Sequence, residues 1–183
     1  MRSTEAIRIS PPLTANGLGG ESSPSERAGC AMSKILTPAD IRLDVPVERK
    51  REAFEVLAAM LAERTGTTPG AVLAALLRRE RLGSTYIGNR IAMPHGRLTG
   101  AERPAAAILR LGQPVDYATG DGDMADLLVA LVWPDTGSFD FVPTLARLWR
   151  RLRTPSVREA LREAQSPEAL HSVIALANGG RIQ

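Results

Sequence analysis

Seven consecutive apolar residues, Leu127–Trp133, limit the fold of this 183-residue chain more than any other feature. A strand with one face in water alternates apolar and polar side chains, whereas a strand covered on both faces is apolar throughout. We therefore predict a central strand with packed layers on both sides. Apolar residues make up 44% of the chain and aromatic residues only 4%, so the core is expected to consist of Leu, Val, Ile and Ala.

Two further runs have the composition of strands. Ala105–Leu111 is short and apolar, and the turn Gly112-Gln113-Pro114 is predicted to end it. Ile87–Met93 is a third candidate strand, interrupted by Gly88 and Asn89.

Helix starts recur in the form of an N-cap hydroxyl followed by proline in the first helical position. They lie at Thr37-Pro38, Thr68-Pro69, Thr154-Pro155 and Ser166-Pro167. A further helix is indicated by apolar residues at helical spacing that end at Gly66 (Phe54, Leu57, Ala58 and Leu61). Helices alternating with apolar strands predict a single layered α/β domain, with a mixed β-sheet flanked by helices on both faces.

The ends of the chain differ from this patterned part. Ser10–Gly29 is rich in Ser, Pro and Gly and has no apolar period, so it cannot bury enough surface to offset the entropy of ordering. We predict a disordered tail over residues 1–31, with Met32 as a possible natural start, a domain over 32–178 and a short tail over 179–183. A folded N-terminal arm on a partner surface is the alternative.

Composition excludes several classes of function. The net charge is +3, and the arginines are spread along the chain, which does not favour nucleic-acid binding. The densest group, Arg147–Arg153, is expected to be a solvated helix face. One cysteine, Cys30, cannot form an internal disulfide, and no apolar run approaches the ~18 residues of a membrane span. We expect a cytoplasmic protein without membrane insertion, metal centre or cofactor.

His95 is the residue that can carry chemistry. It lies between Pro94, which restricts the backbone before it, and Gly96, which permits close approach after it, just past a predicted strand. A neutral imidazole nitrogen can accept a phosphoryl group and release it again. Arg79 is a candidate for stabilising the charge, and the backbone N–H groups of Gly96 and Arg97 for holding phosphate oxygens. A Pro-His-Gly tripeptide by itself fits any turn, so a structural histidine is the alternative.

The longer pattern around His95 decides between these interpretations. It consists of Arg79-Glu80-Arg81-Leu82-Gly83-Ser84-Thr85, Ile87-Gly88-Asn89 and Ile91-Ala92-Met93-Pro94-His95-Gly96-Arg97-Leu98. This pattern resembles the active-site signature of type 2 enzyme IIA domains, the fructose/mannitol class of the bacterial phosphoenolpyruvate-dependent phosphotransferase system. It is most similar to the nitrogen-regulatory members. The resemblance extends over roughly residues 32–178, through Gln113–Tyr117, Asp126–Pro134 and Leu161–Ser166.

The resemblance implies a function and a set of site residues. His95 would be the phosphoacceptor, Arg79 would stabilise the phosphate, and the donor would be a small HPr-type phosphocarrier protein. The supporting residues are Gly96, Arg97, Ser84 and Thr85 within the motif, together with Arg90, where the chain departs from the family pattern.

The chain departs from the family pattern at three places. A second histidine usually precedes the helix near Thr144, but Pro143 stands in its place here, with Phe141 just before it. Tyr86 and Arg90 occupy positions where glycine is common. Both could narrow the pocket, and Arg90 could instead add a phosphate contact.

Three functions follow as hypotheses. The first is a regulatory phosphocarrier that binds target proteins in one phosphorylation state. The second is a sugar-uptake enzyme IIA that passes phosphate to a separate IIB subunit. The third is an interaction module on the same fold that no longer transfers phosphate. The sequence leaves open whether the chain is an enzyme in the strict sense, although the activity would be transferase-like.

Overall fold

The computed structural model describes residues 32, 34–117, 122–136 and 141–175. The predicted tails over 1–31 and 179–183 lie outside these residues. The described part forms one α/β layered domain.

Six strands form one mixed sheet among the described residues. They are β1 (Ile41–Val45), β2 (Tyr86–Gly88), β3 (Ile91–Ala92), β4 (His95–Leu98), β5 (Ala105–Asp116) and β6 (Met124–Pro134). The order is β1-β5-β6-β3-β2, and β4 pairs with β6 further along the same side as β3. The β1–β5, β3–β6 and β4–β6 pairs are parallel, whereas β5–β6 and β2–β3 are antiparallel.

Helices cover both faces of the sheet, as predicted. They are α1 (Lys50–Thr65), α2 (Pro69–Glu80), α3 (Phe141–Leu152), α4 (Pro155–Glu163) and α5 (Pro167–Ala175). The first two share one apolar core with the sheet, and the last three share the other.

The apolar run Leu127–Trp133 is the central strand that its composition predicts. It lies in β6, between β5 and the strands β3 and β4. Leu128 and Val132 belong to the α1–α2 core, and Leu127 and Leu131 to the α3–α5 core. Both sets are essentially inaccessible to water, and a buried side chain of this size contributes roughly 1.5–3 kcal/mol.

The helix predicted from Thr37-Pro38 is wrong beyond its first turn. Pro38–Asp40 is a single 3₁₀ turn, and β1 follows it at once. Asp40 Oδ2 accepts hydrogen bonds from both the backbone N–H and the hydroxyl of Thr37, at 2.8 and 2.7 Å. Thr37 and Asp40 thus satisfy each other's capping groups within a single turn. The residues after Asp40 form β1 because they pair with β5.

Two strand boundaries also differ from the predictions. The turn Gly112-Gln113-Pro114 does not end β5, which continues to Asp116 through an irregularity in its pairing with β6. Ile87–Met93 is not one strand, because Asn89 and Arg90, with φ of 56° and 62°, turn the chain from β2 into β3. Two successive residues of positive φ are typical of a tight hairpin turn.

Among the residues that the structure describes, no helix has both the length and the apolar character needed to cross a membrane.

Candidate functional site

His95 comes shortly after the strand β3, as predicted, and it also lies at the start of a further strand. It opens β4, where its Cα pairs with that of Leu131 in β6. The preceding residue, Pro94, accepts a 2.9 Å hydrogen bond from the Leu131 N–H through its carbonyl. The sheet therefore fixes the backbone on both sides of the ring, which is half-buried.

Both ring nitrogens of His95 have assigned partners. Nδ1 lies 2.8 Å from the carbonyl oxygen of Met93, and Nε2 lies 3.0 Å from Nε of Arg79. A carbonyl can only accept and a guanidinium can only donate, so Nδ1 carries the proton and Nε2 presents its lone pair. The geometry thus selects the neutral tautomer in which Nε2 is unprotonated.

The surroundings of His95 also favour the neutral ring. Burial is the largest effect and lowers its pKa below the ordinary value of 6.5. The hydrogen bond to Met93 acts in the opposite direction, the positive charge of Arg79 lowers the pKa further, and the negative charge of Glu80 raises it. The net direction is downward, so the neutral form of the ring prevails at neutral pH.

Arg79 reaches His95 from the last turn of α2. Its Nη1 donates a 2.9 Å hydrogen bond to the carbonyl of Gly83, which holds the guanidinium between the α2–β2 loop and the ring. Gly96 allows this approach, because a Cβ at its position would lie 3.0 Å from the carbonyl oxygen of Ala75 in α2. The absence of a side chain at Gly96 therefore sets the spacing between α2 and β4.

A polar network behind the site fixes the α2–β2 loop. The Glu80 carboxylate accepts hydrogen bonds from the backbone and the hydroxyl of Thr85 and forms a 2.7 Å ion pair with Lys50. The Thr85 hydroxyl also lies 3.0 Å from that of Tyr117, whose pKa is raised by burial. The Thr85 carbonyl in turn accepts the Met93 N–H at 2.9 Å. Since the Met93 carbonyl holds Nδ1 of the histidine, this network supports the ring from behind.

An aromatic ring flanks His95 on the other side. Phe141, the first residue of α3, lies with its ring centroid 5.9 Å from that of His95, and it packs edge-on against Trp133. Pro143, at the position where the resemblance implies a second histidine, is exposed in the first turn of the same helix. The residue in contact with His95 from α3 is therefore Phe141.

The supporting residues implied by the motif do not all converge on the ring. Thr85 acts through the network just described, whereas Ser84 is exposed and accepts a 3.2 Å hydrogen bond from the Tyr86 N–H. Arg97 shares a strand face with His95, since it follows two residues later in β4. Its Nη1 lies 3.5 Å from the Asp135 carbonyl.

Arg90 is held away from His95. It forms a 2.9 Å ion pair with Asp126, next to the point where Ile91 pairs with Leu127. His95 pairs with Leu131, which lies four residues beyond Leu127 in β6. The two pairing positions are therefore ~13 Å apart along the strand. Arg90 therefore braces the β2–β3 hairpin in this structure.

No role at the site was predicted from the sequence for three of its contributors: the Met93 carbonyl, Glu80 and Phe141. Glu80 follows Arg79 directly, but only the fold turns it toward Lys50 and Thr85. No local signal connects Phe141 with His95, since they are 46 positions apart in the chain. Within the described residues, no cluster of His, Cys, Asp and Glu could hold a metal ion.

Residues 34–176 match the family model for the EIIA 2 component of the phosphoenolpyruvate-dependent sugar phosphotransferase system. The chain belongs to this family. A nitrogen regulatory protein of Bradyrhizobium diazoefficiens is 36% identical over 145 residues, covering 79% of this chain and 95% of that protein. The fructose-specific EIIA component of Haloferax volcanii is 32% identical over 142 residues, covering 76% of this chain and 92% of that protein.

A solved structure shows the same fold. The crystal structure of the nitrogen regulatory protein IIA-Ntr from Neisseria meningitidis has a TM-score of 0.74 and 29% identity, covering 79% of this chain and 99% of that chain. The resemblance read from the Arg79–Leu98 signature is thereby confirmed, as is the α/β fold with its mixed sheet.

Proposed function

We propose that this EIIA-family domain accepts a phosphoryl group on Nε2 of His95 from an HPr-type carrier and acts as a regulatory phosphocarrier. The observation that carries the proposal is the pair of ring contacts, with Nδ1–H held by Met93 and the Nε2 lone pair directed at Arg79. A neutral imidazole with a fixed lone pair beside a cation combines a nucleophile with stabilisation of the incoming charge.

The transfer step needs no proton transfer at this site. The Nε2 lone pair attacks phosphorus, the nitrogen–phosphorus bond of the donor breaks, and the donor imidazole leaves with that electron pair. The proton stays on Nδ1, where the Met93 carbonyl accepts its hydrogen bond. Arg79 loses its contact with Nε2 in this step, and its N–H groups are then available to the phosphoryl oxygens. In-line phosphoryl transfer depends on such placement and charge stabilisation.

The regulatory role is the finer part of the proposal. It is supported by the similarity to nitrogen regulatory proteins over most of their length. In this hypothesis, the phosphorylation state of His95 controls binding to a target protein, since the phosphoryl group adds about two negative charges to the site.

A second candidate function is supply of phosphate to a separate IIB subunit for sugar uptake. The similarity to a fructose-specific EIIA component favours it. Transfer from the phosphorylated chain to a IIB protein encoded by the same genome would support this function. Phosphorylation-dependent binding to a protein outside sugar transport would support regulation instead.

Incubation with phosphoenolpyruvate, enzyme I and an HPr-type carrier tests the proposal, with intact mass measured under alkaline conditions in which phosphohistidine survives. We expect one added phosphoryl group on the wild type and none on His95→Ala. His171→Ala is the matched control, because His171 lies in α5 with Nε2 3.1 Å from the Leu36 carbonyl. Equal phosphorylation of His95→Ala would show that the acceptor lies elsewhere.

A further inference from the structure

Lys50 occupies a position that its own helix does not favour. It is the first residue of α1, where the positive end of the helix dipole disfavours a cation. It is also half-buried, although a lysine side chain usually extends into water. Residues that break a local preference are expected where a tertiary contact or the function requires them. The contacts of Lys50 show what holds it there.

Three contacts surround the ammonium group of Lys50. Its Nζ lies 2.7 Å from Oε1 of Glu80, donates to the Tyr117 carbonyl at 2.9 Å and lies 3.9 Å from the centroid of the Tyr117 ring. The side chains of Lys50 and Glu80 are 22% and 9% exposed, so water screens their charges weakly. The Lys50–Glu80 pair therefore differs from a surface ion pair, which contributes little.

Glu80 is next to the arginine on which the candidate site depends. Arg79 and Glu80 are the last two residues of α2, and their side chains turn to the same loop. Arg79 donates to the Gly83 carbonyl, and Glu80 accepts from Thr85. Within the part of the chain that the structure describes, Glu80 nevertheless forms an ion pair with Lys50 and none with Arg79.

A Glu80 carboxylate without Lys50 would compete with His95 for Arg79. A carboxylate and a guanidinium form one of the strongest pairs in proteins, often through two parallel hydrogen bonds. Such a pair uses N–H groups of the guanidinium, and the Nε–H of Arg79 is the group that donates to Nε2 of His95 at 3.0 Å. Lys50 offers Glu80 a cation on another helix, so the guanidinium of Arg79 stays with the histidine.

We propose that Lys50 is a positioning residue of the phosphoryl-acceptor site, which holds the Glu80 carboxylate away from Arg79 and so keeps Arg79 available to His95 and to the phosphoryl group. This inference rests on the proposed function. It gives a role to a residue 45 positions before His95 and outside the Arg79–Leu98 signature. The competing explanation is a structural strut, in which Lys50 only ties the start of α1 to the α2–β2 loop.

Four proteins provide the test: the wild type, Lys50→Met, Glu80→Gln and the double variant. Each is equilibrated with the phosphorylated HPr-type carrier of the same genome, and intact mass under alkaline conditions gives the equilibrium constant for transfer. Lys50→Met is expected to lower this constant roughly tenfold, the lower end of the effect of losing a charge-assisted hydrogen bond. Glu80→Gln removes the competing charge, so the double variant should recover most of the loss. A strut predicts no recovery, because both partners would then be missing.

NMR titration of the His95 ring gives a second readout that a strut would not change in this way. Lys50→Met should raise the pKa of His95, because Glu80 then withdraws the positive charge of Arg79 from the ring. Glu80→Gln should lower that pKa, because a negative charge near the ring is removed. The two partners of one ion pair are thus expected to shift the pKa in opposite directions.

Two further variants guard the interpretation. Lys34→Met removes the other lysine of the chain, at an exposed position, and should behave as the wild type. Lys50→Gln also removes the charge but keeps a hydrogen-bond donor, and it replaces Lys50→Met if urea denaturation shows that Lys50→Met does not fold. The double variant is expected to fold, since removing both charges of a shielded pair costs much less than removing one.

The outcomes separate this proposal from the proposed function. Lack of recovery in the double variant, or a pKa of His95 that is unchanged in Lys50→Met and Lys50→Gln, would overturn the role of Lys50 and leave His95 as the acceptor. Failure of the wild type to accept a phosphoryl group from either the carrier or phosphoramidate, a small phosphoryl donor, would overturn the proposed function. The NMR titrations need no transfer, so they would still show whether Lys50 controls the contact between Arg79 and His95.

Discussion

Arg79 donates a hydrogen bond to the lone pair on Nε2 of His95, the electron pair that the proposed reaction requires. Its Nε lies 3.0 Å from Nε2, while Nη1 remains anchored on the Gly83 carbonyl. The contact orients the ring, and in the proposed reaction it is exchanged for contacts to phosphoryl oxygens. The anchor on Gly83 keeps the guanidinium close during this exchange. We therefore expect Arg79 to affect both the charge state of His95 and the stability of the proposed phospho-form.

Replacing Arg79 by Gln is expected to raise the pKa of His95, because a nearby positive charge that disfavours the imidazolium is removed. The neutral fraction at mildly acidic pH should fall accordingly. The phosphorylated fraction at equilibrium with the donor should decrease by about one to two decades, the value of a charge-assisted hydrogen bond of roughly 1.5–3 kcal/mol. NMR titration of the His95 ring and intact mass measure the two effects.

Arg78→Gln is the matched control, because the Arg78 guanidinium donates to the Arg97 carbonyl and not to His95. A pKa of His95 that falls or stays constant in Arg79→Gln would contradict the charge effect.

Phe141 is the residue through which α3 meets His95, at a ring-centroid distance of 5.9 Å. A phenyl ring cannot donate a hydrogen bond to a phosphoryl group. Phe141→His should place a donor beside the phospho-form and lengthen its half-life against hydrolysis. We expect a smaller effect from Pro143→His, because Pro143 is exposed. Decay of the phospho-form followed by mass spectrometry compares the two, and a longer half-life for Pro143→His would show that the loop rearranges.

At the scale of elements, the site depends on the packing of α2 against β4. Arg79 is on the helix and His95 on the strand, and the two segments meet where Gly96 faces Ala75. Glu80 and Thr85 secure the loop that joins α2 to β2, so that the end of the helix and the support behind the ring are fixed together. A small displacement between α2 and β4 would therefore separate the guanidinium from the ring.

Gly96→Ala tests this packing. The new Cβ would lie 3.0 Å from the Ala75 carbonyl, so α2 has to shift, and we expect a loss of roughly 1–3 kcal/mol in the free energy of unfolding. Phosphoryl acceptance should also fall, since α2 carries Arg79. Gly70→Ala is the control within α2 itself, because a Cβ at Gly70 meets nothing within 4 Å. Urea denaturation together with the phosphorylation assay measures both effects, and a fully active Gly96→Ala would exclude the spacing argument.

At the scale of the whole molecule, one buried arginine joins distant parts of the chain. Arg110 in β5 pairs with both carboxylate oxygens of Asp44, at 3.0 Å each, and donates to the Arg162 carbonyl at 2.8 Å. These contacts link β1 and the end of α4 to the central sheet. The hydrogen bond from Arg110 is also the main cause that lowers the pKa of Asp44.

Arg110→Met should destabilise the domain without affecting the acceptor chemistry. The carbonyls at the end of α4 lose a charged donor, and we expect a cost of about 2–3 kcal/mol, or a fall in Tm of roughly 5–10 °C for a domain of this size. Arg42→Met, on the exposed side of β1, should leave Tm nearly unchanged. A Tm of Arg110→Met equal to that of the wild type would mean that water donates hydrogen bonds to these carbonyls equally well. Calorimetry gives Tm for both.

Local sequence determined the layers of this domain and pointed to the residues of its candidate site. The uninterrupted apolar run Leu127–Trp133 indicates a strand covered on both faces, because both sets of alternating side chains must avoid water. The proline-marked helix starts at Pro69, Pro155 and Pro167 coincide with the first residues of α2, α4 and α5. His95 and Arg79 were found from a contiguous motif, which requires no knowledge of the fold.

Tertiary structure decided what local patterns cannot encode. The strand β5 passes through Gly112 and Pro114 because pairing with its neighbours outweighs the local turn preference. Pro38 begins only one turn because β1 must pair with β5. Phe141 is brought to His95 through the packing of α3, across 46 positions of sequence. Which nitrogen of His95 keeps its proton depends on where β4 begins, since this sets the Met93 carbonyl against Nδ1. These contacts join residues that are remote in the chain, so their free energy appears only when the sheet and both helical layers are assembled.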